Sequence, residues 1–319
     1  MIPVYTREQM EAVLRPSDVI QAVEEGFVAY SRGETVVPPV GELLFENPTG
    51  DCHIKYGYRT GDPSFTIKIA TGFPENAKKG LLTSNGVMLV FSSQTGELLA
   101  ILQDEGFLTD IRTAAAGAVA AKLLAPRDVE GIGIIGAGTQ GRLQLEYLKE
   151  VLPARKAMVW TRSRERAEAF RVDGFEIQVA DSCSGLAGRC RLIVTTTASR
   201  QWLLGPSDVH RGTHITAVGA DGGGKQELHP ELFSRAAVRA VDSRKQCAQF
   251  GDSSYALQEG RIQIEDLVEL GELIDGKKPA RENDEQITIA DLTGVAIQDI
   301  QVAKLALRRL MARKDFVSN

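Results

Sequence analysis

The chain is poor in the residues that build disulfide scaffolds and metal centres. Its 319 residues include only four cysteines and four histidines. The cysteines form no Cys-x-x-Cys pair and are scattered, which argues against a disulfide framework and a structural zinc site. The histidines show no metal-ligand spacing, so we expect no metal centre. The residues concerned are Cys52, Cys183, Cys190, Cys247, His53, His210, His214 and His229.

Long apolar segments and a large charge excess are also missing. No apolar run reaches the ~18 residues of a membrane-spanning helix, and the N-terminus lacks the basic-then-apolar order of a signal peptide. Lysine and arginine number 37 against 42 acidic residues, a net charge of -5. This balance supports neither general nucleic-acid binding nor a membrane-surface role. The hydrophobic content of 43% is ordinary for a globular protein, so we expect a globular cytoplasmic protein of two domains.

The first third of the chain predicts two helices followed by an antiparallel sheet. Thr6 and Gln9 have the spacing of a capping box, and a second amphipathic helix follows Pro16. From about residue 36 to 102, short alternating strands are separated by turn residues, including a hairpin over 87–101. An alanine-rich helix over 109–126 comes next and marks the change of pattern between domains.

From residue 132 onward, strands and helices alternate, as in a parallel α/β sheet. The final helix, from about Ala296 to Met311, is amphipathic. The fold class is therefore α/β, with a smaller α+β domain that contains the antiparallel sheet. The brief apolar runs that predict buried parallel strands are Ile132–Ile135, Ala157–Trp160, Leu192–Val194, Ile215–Val218 and Val238–Val241.

A glycine motif stands between the first of these strands and a helix. Gly136, Gly138 and Gly141 have the G-x-G-x-x-G spacing. The first glycine permits a tight turn, the second allows close approach to a pyrophosphate, and the third allows close helix–strand packing. The motif therefore predicts a Rossmann dinucleotide-binding domain. The alternative is a tight glycine turn in a Rossmann-like domain without a nucleotide.

The residues after the second strand bear on the choice of dinucleotide. A site that prefers NAD usually has an acidic residue here to hold the ribose 2′-hydroxyl. This chain has Arg162, Ser163 and Arg164 instead, which suit a 2′-phosphate. NADP(H) is therefore favoured and NAD(H) is possible; the alternative is a solvated basic loop.

Two cations in the first domain are candidate substrate ligands. Lys68 lies in an otherwise apolar strand, where it either extends to solvent from a sheet edge or serves a functional site. Arg112 falls in the first turn of its predicted helix, where the macrodipole disfavours a cation. It either forms an anion site, such as a carboxylate site, or pairs with Asp110 or Glu105.

Asp221 is the candidate acid in the second domain. It follows the predicted strand Ile215–Val218, in a glycine-rich segment. Ligands of parallel sheets bind at the carboxyl ends of the strands. The alternative is a turn aspartate beside glycines.

Several of these segments together resemble the ornithine cyclodeaminase/mu-crystallin family. The resemblance runs nearly from end to end and implies a substrate-binding and dimerisation domain (1–116 and 295–319) with an inserted Rossmann domain (117–294). It also implies a homodimer. The motifs are Ile67-Lys68-x-x-x-Gly72, Leu108-Thr-Asp-Ile-Arg112-Thr-Ala-Ala-Ala, Gly136-Ala-Gly-Thr-Gln-Gly, Gly219-Ala-Asp221-x-x-Gly-Lys-Gln-Glu-Leu and Leu292-Thr-Gly-Val-Ala-Ile-Gln-Asp299.

The resemblance implies a role for each matching residue. Lys68 contacts the substrate, Arg112 holds its carboxylate, Thr83 supplies a pocket hydroxyl and Asp221 acts as general base. Many members have a further arginine near Val40, which this chain lacks; Arg32, Lys55 or nothing takes its place. The implied cofactor-binding residues are Gly136, Gly138, Thr139, Gln140, Gly141, Arg162, Ser163, Thr113 and Thr196.

The activities implied by the resemblance are related by chemistry. The first expectation is an NAD(P)(H)-dependent oxidoreductase acting at the α-carbon of an amino acid or its imine, as an imino-acid (ketimine) reductase or an amino-acid dehydrogenase. The first alternative is ornithine cyclodeaminase, which converts L-ornithine to L-proline and ammonia without net redox change. An alternative of another class is an NADPH-dependent binding protein like mu-crystallin. Asp221 argues against this last one, because a binder needs no carboxylate at the nicotinamide.

Overall fold

The computed structural model describes residues 2–313, and the chain divides into two compact units. The first unit takes the chain as far as Arg112 and resumes at Ala296, while the second is Thr113–Val295. The divisions expected at 116/117 and 294/295 lie within a few residues of these points. No helix in the described part of the chain has the length and apolar character needed to cross a membrane.

The first unit contains a seven-stranded sheet in the order β1-β7-β6-β5-β4-β2, with β3 also paired to β4. The predicted antiparallel pairing is confirmed for β2 to β7. At one edge the sheet is extended by β1, which was not predicted and runs parallel to β7. The opening capping box is confirmed by a hydrogen bond from Thr6 N to Gln9 Oε1 at 2.9 Å. The elements are β1 (Val4–Thr6), α1 (Arg7–Glu11), α2 (Pro16–Ser31), β2 (Thr35–Val36), β3 (Gly41–Glu46), β4 (Thr49–Arg59), β5 (Ser64–Gly72), a 3-10 helix (Pro74–Lys79), β6 (Ser84–Ser92) and β7 (Leu98–Gln103).

The alanine-rich helix α3 (Phe107–Leu124) begins two residues before its predicted start. Its first turn is capped by Asp104, whose Oδ2 accepts a hydrogen bond from Leu108 N at 2.9 Å. Between them, Glu105 and Gly106 have positive φ angles of 52° and 86°. The helix follows this tight turn directly, and its start at Phe107 leaves Arg112 in the second helical turn.

The second unit is a doubly wound α/β domain with an eight-stranded parallel sheet in the order β10-β9-β8-β11-β13-β17-β15-β16. The direction of winding reverses between β8 and β11, the switch point at which such sheets bind ligands. The elements are β8 (Ile132–Ile135), α4 (Thr139–Leu148), β9 (Lys156–Trp160), α5 (Arg164–Glu168), β10 (Glu176–Val179), α6 (Cys183–Ala187), β11 (Leu192–Thr195), β12 (Arg200–Leu204), β13 (His214–Ala217), β14 (Gln226–Leu228), α7 (Glu231–Arg235), β15 (Val238–Val241), α8 (Arg244–Cys247), α9 (Asp252–Gln258), a 3-10 helix (Ile264–Asp266), β16 (Leu267–Glu269), α10 (Leu270–Ile274) and β17 (Thr288–Asp291).

The last helix, α11 (Ala296–Met311), returns the chain to the first unit. Its apolar face packs against α2 and against the sheet at β4 and β5. The predicted bounds of this helix are confirmed. Because it covers the sheet, polar residues in its first turn reach side chains at the centre of β5.

Candidate active site

Lys68 lies at the centre of β5, on the face of the sheet that α11 covers. Strand alternation buries Thr66 and Lys68 and leaves Ile67 and Ile69 half-buried. Lys68 is 2% exposed, and its Nζ donates a hydrogen bond to Oδ1 of Asp299 at 3.1 Å. The alternative of an edge lysine extending to solvent is wrong, because β5 is paired on both sides, to β4 and β6.

Arg112 meets the same carboxylate from α3. Its Nε donates to Asp299 Oδ1 at 3.0 Å, and its Nη1 donates to Gln298 Oε1 at 3.1 Å. The expected placement in the first helical turn is wrong, since the helix begins at Phe107. Its acidic partner comes from the far end of the chain rather than from its own segment. Lys68, Arg112 and Asp299 therefore form one buried charged cluster.

Burial controls the ionisation of this cluster. It lowers the pKa of Lys68 to about 7, because desolvation outweighs the attraction of Asp299, and Arg112 and Lys55 lower it further. Burial alone would raise the pKa of Asp299, but the charges of Lys68 and Arg112 hold it below its usual value. The second oxygen of Asp299, Oδ2, meets no hydrogen-bond donor among residues 2–313. The cluster thus holds a lysine able to exchange a proton near neutral pH.

Lys55 is one of the two cations expected as substitutes for the missing arginine. It lies in β4 directly opposite Lys68 of β5 in the antiparallel register. Its charge lowers the pKa values of both Lys68 and Asp299. Arg32 instead lies at the surface after α2, 3.9 Å from Glu34. Of the two expected substitutes, Lys55 is the one associated with the charged cluster.

The glycine motif forms a turn between β8 and α4, as predicted. Gly136 has a φ of 116°, and a Cβ there would lie 2.4 Å from Thr196 Oγ1. A Cβ at Gly141 would lie 2.1 Å from the carbonyl oxygen of Gly136, so helix and turn are in close contact. A Cβ at Gly138 would meet nothing within 4 Å. The space above Gly138, at the N-terminus of α4, fits the pyrophosphate of a dinucleotide.

Thr196, the first residue after the neighbouring strand β11, holds this turn in place. Its Oγ1 donates to the carbonyl oxygens of Ile135 and Gly136, both at 3.3 Å. The turn and the segment after β11 line a cavity of about 170 Å³. Its lining residues are Gly136, Ala137, Gly138, Trp160, Thr161, Arg162, Thr196, Thr197, Ser199 and Leu203.

The three polar residues after β9, Arg162, Ser163 and Arg164, have different surroundings. Arg162 lines the cavity. The Ser163 hydroxyl caps α5 by accepting a hydrogen bond from Arg166 N at 3.3 Å. Arg164 pairs with Glu168 and Asp181 at 2.8 and 2.7 Å. Arg162 is therefore the member of this group that faces the nucleotide cavity.

The other expected cofactor residues lie around α4. Thr139 and Gln140 are the first two residues of this helix. The backbone oxygen of Thr113 accepts a hydrogen bond from Gln144 Nε2 of α4 at 3.1 Å. The start of the second unit is thereby attached to the nucleotide-binding helix.

Two expected substrate residues lie in exposed segments. Asp221 follows β13 at the carboxyl edge of the parallel sheet, where it pairs with Lys225 at 2.5 Å. Thr83 lies in the turn before β6, and its backbone oxygen accepts a hydrogen bond from Phe73 N at 2.8 Å. Their roles in the substrate site stay predictions.

Sequence reasoning missed the carboxylate that unites the first-unit site. Asp299 was noted only as the end of a C-terminal motif, yet it binds both Lys68 and Arg112. The available signal was an aspartate in the first turn of an amphipathic helix, on its apolar side. Its neighbour Gln298, which is also fully buried, accepts a second hydrogen bond from Arg112.

Fold and site together define a nicotinamide dinucleotide-dependent enzyme. The structure is similar to an archaeal alanine dehydrogenase dimer with bound NAD (TM-score 0.90, 35% identity, covering 98% of this chain and 96% of the other). It is also similar to the Δ1-pyrroline-2-carboxylate reductase of Thermococcus litoralis in complex with NADH and L-proline (TM-score 0.92, 31% identity, 98% of both chains). A third similar structure is the iminosuccinate reductase of Paracoccus denitrificans in complex with NAD⁺ (TM-score 0.87, 28% identity, 98% and 97%).

The chain belongs to the ornithine cyclodeaminase/mu-crystallin family, whose model matches residues 3–314. Among curated relatives, it is 40% identical to an uncharacterized cyclodeaminase of Sinorhizobium fredii over 93% of this chain and 92% of that protein. It is 37% identical to the alanine dehydrogenase of Archaeoglobus fulgidus over 97% and 95%, respectively. The family expected from the motifs is confirmed.

Proposed function

We propose that this protein catalyses hydride transfer at the α-carbon of an imino acid or amino acid, working chiefly as an imino-acid reductase. The observation that carries the proposal is the buried cluster of Lys68, Arg112 and Asp299, in a chain that also holds a dinucleotide cradle. The cluster combines a carboxylate-binding cation with a lysine whose pKa is lowered to about 7 by burial. Reduction of a 2-imino acid needs both functions.

Arg112 binds the substrate carboxylate. Its guanidinium matches the two oxygens of a carboxylate, and Gln298 and Asp299 fix its orientation by the hydrogen bonds at Nη1 and Nε. An anchored carboxylate places the adjacent imine carbon at a defined position, which is a large part of catalysis by orientation. Asp299 is a positioning residue in this account.

Lys68 and Asp221 transfer the proton that the substrate nitrogen gains or loses. Lys68 donates a proton to the imine nitrogen as the α-carbon is reduced, and accepts it in the reverse direction. Its lowered pKa, caused chiefly by burial, makes this transfer feasible near neutral pH. Asp221, at the carboxyl edge of the parallel sheet, shuttles the proton between the substrate nitrogen and water.

The nicotinamide dinucleotide supplies the hydride when it is bound. We propose that NADP(H) is preferred, with Arg162 beside the 2′-phosphate, and that the reaction runs in the cytoplasm, where reduced NADP pools favour reduction. The similar structures that contain NAD make this preference a point to test. The Arg162→Ala variant should raise the KM for NADPH by about tenfold, the equivalent of ~1.4 kcal/mol, with little effect on the KM for NADH. Equal losses with both dinucleotides would contradict the preference.

Lys55 replaces the family arginine and disfavours the cyclodeaminase reaction. Lys55 pairs with Lys68 in the register of β4 and β5, and its positive charge attracts the substrate carboxylate and repels the distal ammonium of ornithine. The Lys55→Glu variant should therefore raise the KM for an imino acid by about tenfold while changing kcat little. Arg32→Glu is the matched control, since Arg32 lies at the surface. A KM that does not respond to Lys55→Glu would remove Lys55 from the site.

We further propose a homodimer formed through the sheet of the first unit. Strand β3 presents Leu43, Leu44 and Phe45 to solvent, and Leu44 is 72% exposed. A run of exposed large apolar side chains on a strand is typical of a covered surface. Light scattering of wild type and Leu44→Asp tests this: we expect a dimer that the substitution weakens, whereas a monomeric wild type would contradict it.

The experiment that tests the main proposal compares substrates. Purified protein is incubated with NADPH or NADH and either a cyclic ketimine or a 2-oxo acid with ammonia. A separate sample receives L-ornithine and oxidised dinucleotide. We expect dinucleotide oxidation with the imine and its loss in Lys68→Met and Arg112→Met. A protein that binds these compounds without turning any of them over would support the binding-protein alternative.

A further inference from the structure

Glu227, in β14 of the second unit, is a fully buried carboxylate with an unusual set of donors. Its Oε1 accepts hydrogen bonds from N and Oγ1 of Thr197 at 2.6 and 2.7 Å. Its Oε2 accepts from Thr195 Oγ1 at 2.7 Å and from Gly219 N at 2.9 Å. Each oxygen receives a backbone N–H, which can only donate, so the arrangement suits an ionised carboxylate.

The donors come from two loops at the carboxyl edge of the parallel sheet. The first loop, residues 195–197, starts at the last residue of β11 and contains Thr196, which holds the glycine turn through its hydrogen bonds to Ile135 and Gly136. The second loop, residues 219–221, follows β13 and ends at Asp221. A single side chain thus connects the loop that lines the nucleotide cavity with the loop that carries the proposed proton shuttle.

The two loops lie in close contact at this point. A Cβ added to Gly219 would lie 2.1 Å from the Thr197 carbonyl oxygen and 2.5 Å from Glu227 Oε2. In contrast, a Cβ at Gly222, three residues further along, would meet nothing within 4 Å. The position of Gly219 is therefore fixed by its contacts with Thr197 and Glu227.

The strand that carries Glu227 is itself held by a second acid. Oδ1 of Asp252 accepts hydrogen bonds from the backbone N of Glu227 and Leu228 at 2.8 and 2.9 Å. Asp291 in turn accepts from Asp252 N at 3.2 Å. Burial raises the pKa of Glu227 to about 7 against the effect of its four donors. An apolar side chain would avoid this desolvation cost, but it could not hold those donors.

We propose that Glu227 is a positioning residue that locks loop 195–197 against loop 219–221 and so sets the geometry of both the dinucleotide and Asp221. The part that concerns Asp221 rests on the proposed function. The part that concerns the dinucleotide does not, because it follows from the contacts of Thr196 and Thr197 with the nucleotide cavity.

The first test replaces Glu227 with glutamine. In Glu227→Gln, an amide NH₂ group replaces one carboxylate oxygen. This group is a donor and would face the backbone N–H that the oxygen accepted from, so one loop would lose its attachment. We expect the Kd for NADPH, measured by quenching of tryptophan fluorescence, to rise about tenfold. We also expect kcat for imine reduction to fall by about 10- to 100-fold, while the KM for the imine changes less than about threefold.

Matched variants separate positioning from general damage to the core. Gly219→Ala should reproduce the loss without changing any charge, because its methyl group collides with Thr197. Gly222→Ala is the control, and it should stay within about threefold of wild type, because its methyl group would meet nothing within 4 Å.

The possible results are distinct. Losses of NADPH affinity and kcat in Glu227→Gln and Gly219→Ala, with a functional control, would support the proposal. If Glu227→Gln did not fold, a smaller loss of the same quantities in Thr195→Val would support it. Wild-type dinucleotide affinity and kcat in folded Glu227→Gln, or equal losses in Gly222→Ala, would overturn it. If wild-type protein reduced no imine, the proposed function would fail, while the NADPH titration would still decide the role of Glu227.

Discussion

At the scale of single residues, the environment of Lys68 is the one with the clearest chemical consequence. A buried ammonium costs free energy unless it is paired, and the Asp299 carboxylate supplies that pair while also binding Arg112. The two cations share one carboxylate oxygen, so each limits the stabilisation of the other. The result is a lysine pKa lowered to about 7, which suits a proton donor at neutral pH.

This ionisation predicts the pH dependence of imine reduction. The protonated form of Lys68 is the donor, so kcat/KM should be level below pH 7 and fall as the pH rises through the lysine pKa of about 7. In the Lys68→Arg variant, kcat/KM should fall by about 10²-fold or more. Its pH profile should also lack the decrease near pH 7, because a guanidinium does not titrate in this range. A wild-type profile without this limb, or a variant that keeps it, would assign the proton to another group.

The carboxylate at the centre of the cluster should matter for stability as well. Asp299→Asn leaves two buried cations without their counter-ion. Urea denaturation should therefore show an unfolding free energy lower than that of wild type by about 3–5 kcal/mol. The lowered pKa of Asp299 means that its stabilisation is present at neutral pH and is lost as the pH falls below the unfolded-state pKa of ~4. The difference in unfolding free energy between wild type and Asp299→Asn should therefore become smaller as the pH falls below about 4.

The control for this measurement is a surface pair between α2 and α11. Asp18 accepts a hydrogen bond from Arg309 at 2.8 Å, and both side chains are partly exposed. Asp18→Asn should cost only about 0–1 kcal/mol. Equal losses in the two variants would contradict the buried-cluster account.

At the scale of elements, the sequence pattern predicted the long helices and the strands with clear apolar or alternating runs, and it missed many of the shorter elements. Runs such as Ile132–Ile135 are apolar throughout and predict buried strands. The central strand β17, Thr288-Ile-Ala-Asp291, is equally buried but half polar, because His214 and Ser253 bind its Thr288 and Asp291 side chains. Hydrogen-bonded polar residues of this kind carry no local hydrophobic signal, so β17 was missed.

The glycine turn gives a prediction in which two neighbouring substitutions have different effects. Gly141→Ala should lower the melting temperature by several degrees, because its methyl group would lie 2.1 Å from the Gly136 carbonyl oxygen. Gly138→Ala meets open space and should leave the melting temperature unchanged, yet weaken NADPH binding by about tenfold or more. Dinucleotide affinity unaffected by Gly138→Ala would contradict the assignment of the pyrophosphate to this turn.

At the scale of the whole molecule, the dinucleotide motif was predictable because it is local in sequence, whereas the interrupted first unit was expected only from the family resemblance. The charged cluster was only half predictable. Lys68 and Asp299 are 231 positions apart, and Arg112 and Asp299 are 187 apart, so their contacts depend on the return of α11 to the first unit. The four-donor site of Glu227 was likewise invisible, since Thr195, Gly219 and Glu227 come from different strand ends.

Product stoichiometry distinguishes the reduction of imino acids, which consumes dinucleotide, from redox-neutral cyclodeamination, which does not. Purified protein is given a cyclic ketimine with NADPH and, in parallel, L-ornithine with a trace of oxidised dinucleotide, and proline, ammonia and dinucleotide are quantified. We expect amino acid formed from the ketimine in equimolar amount to the dinucleotide consumed, and no proline from ornithine. Proline and ammonia in large excess over the dinucleotide would establish redox-neutral cyclodeamination and contradict the account.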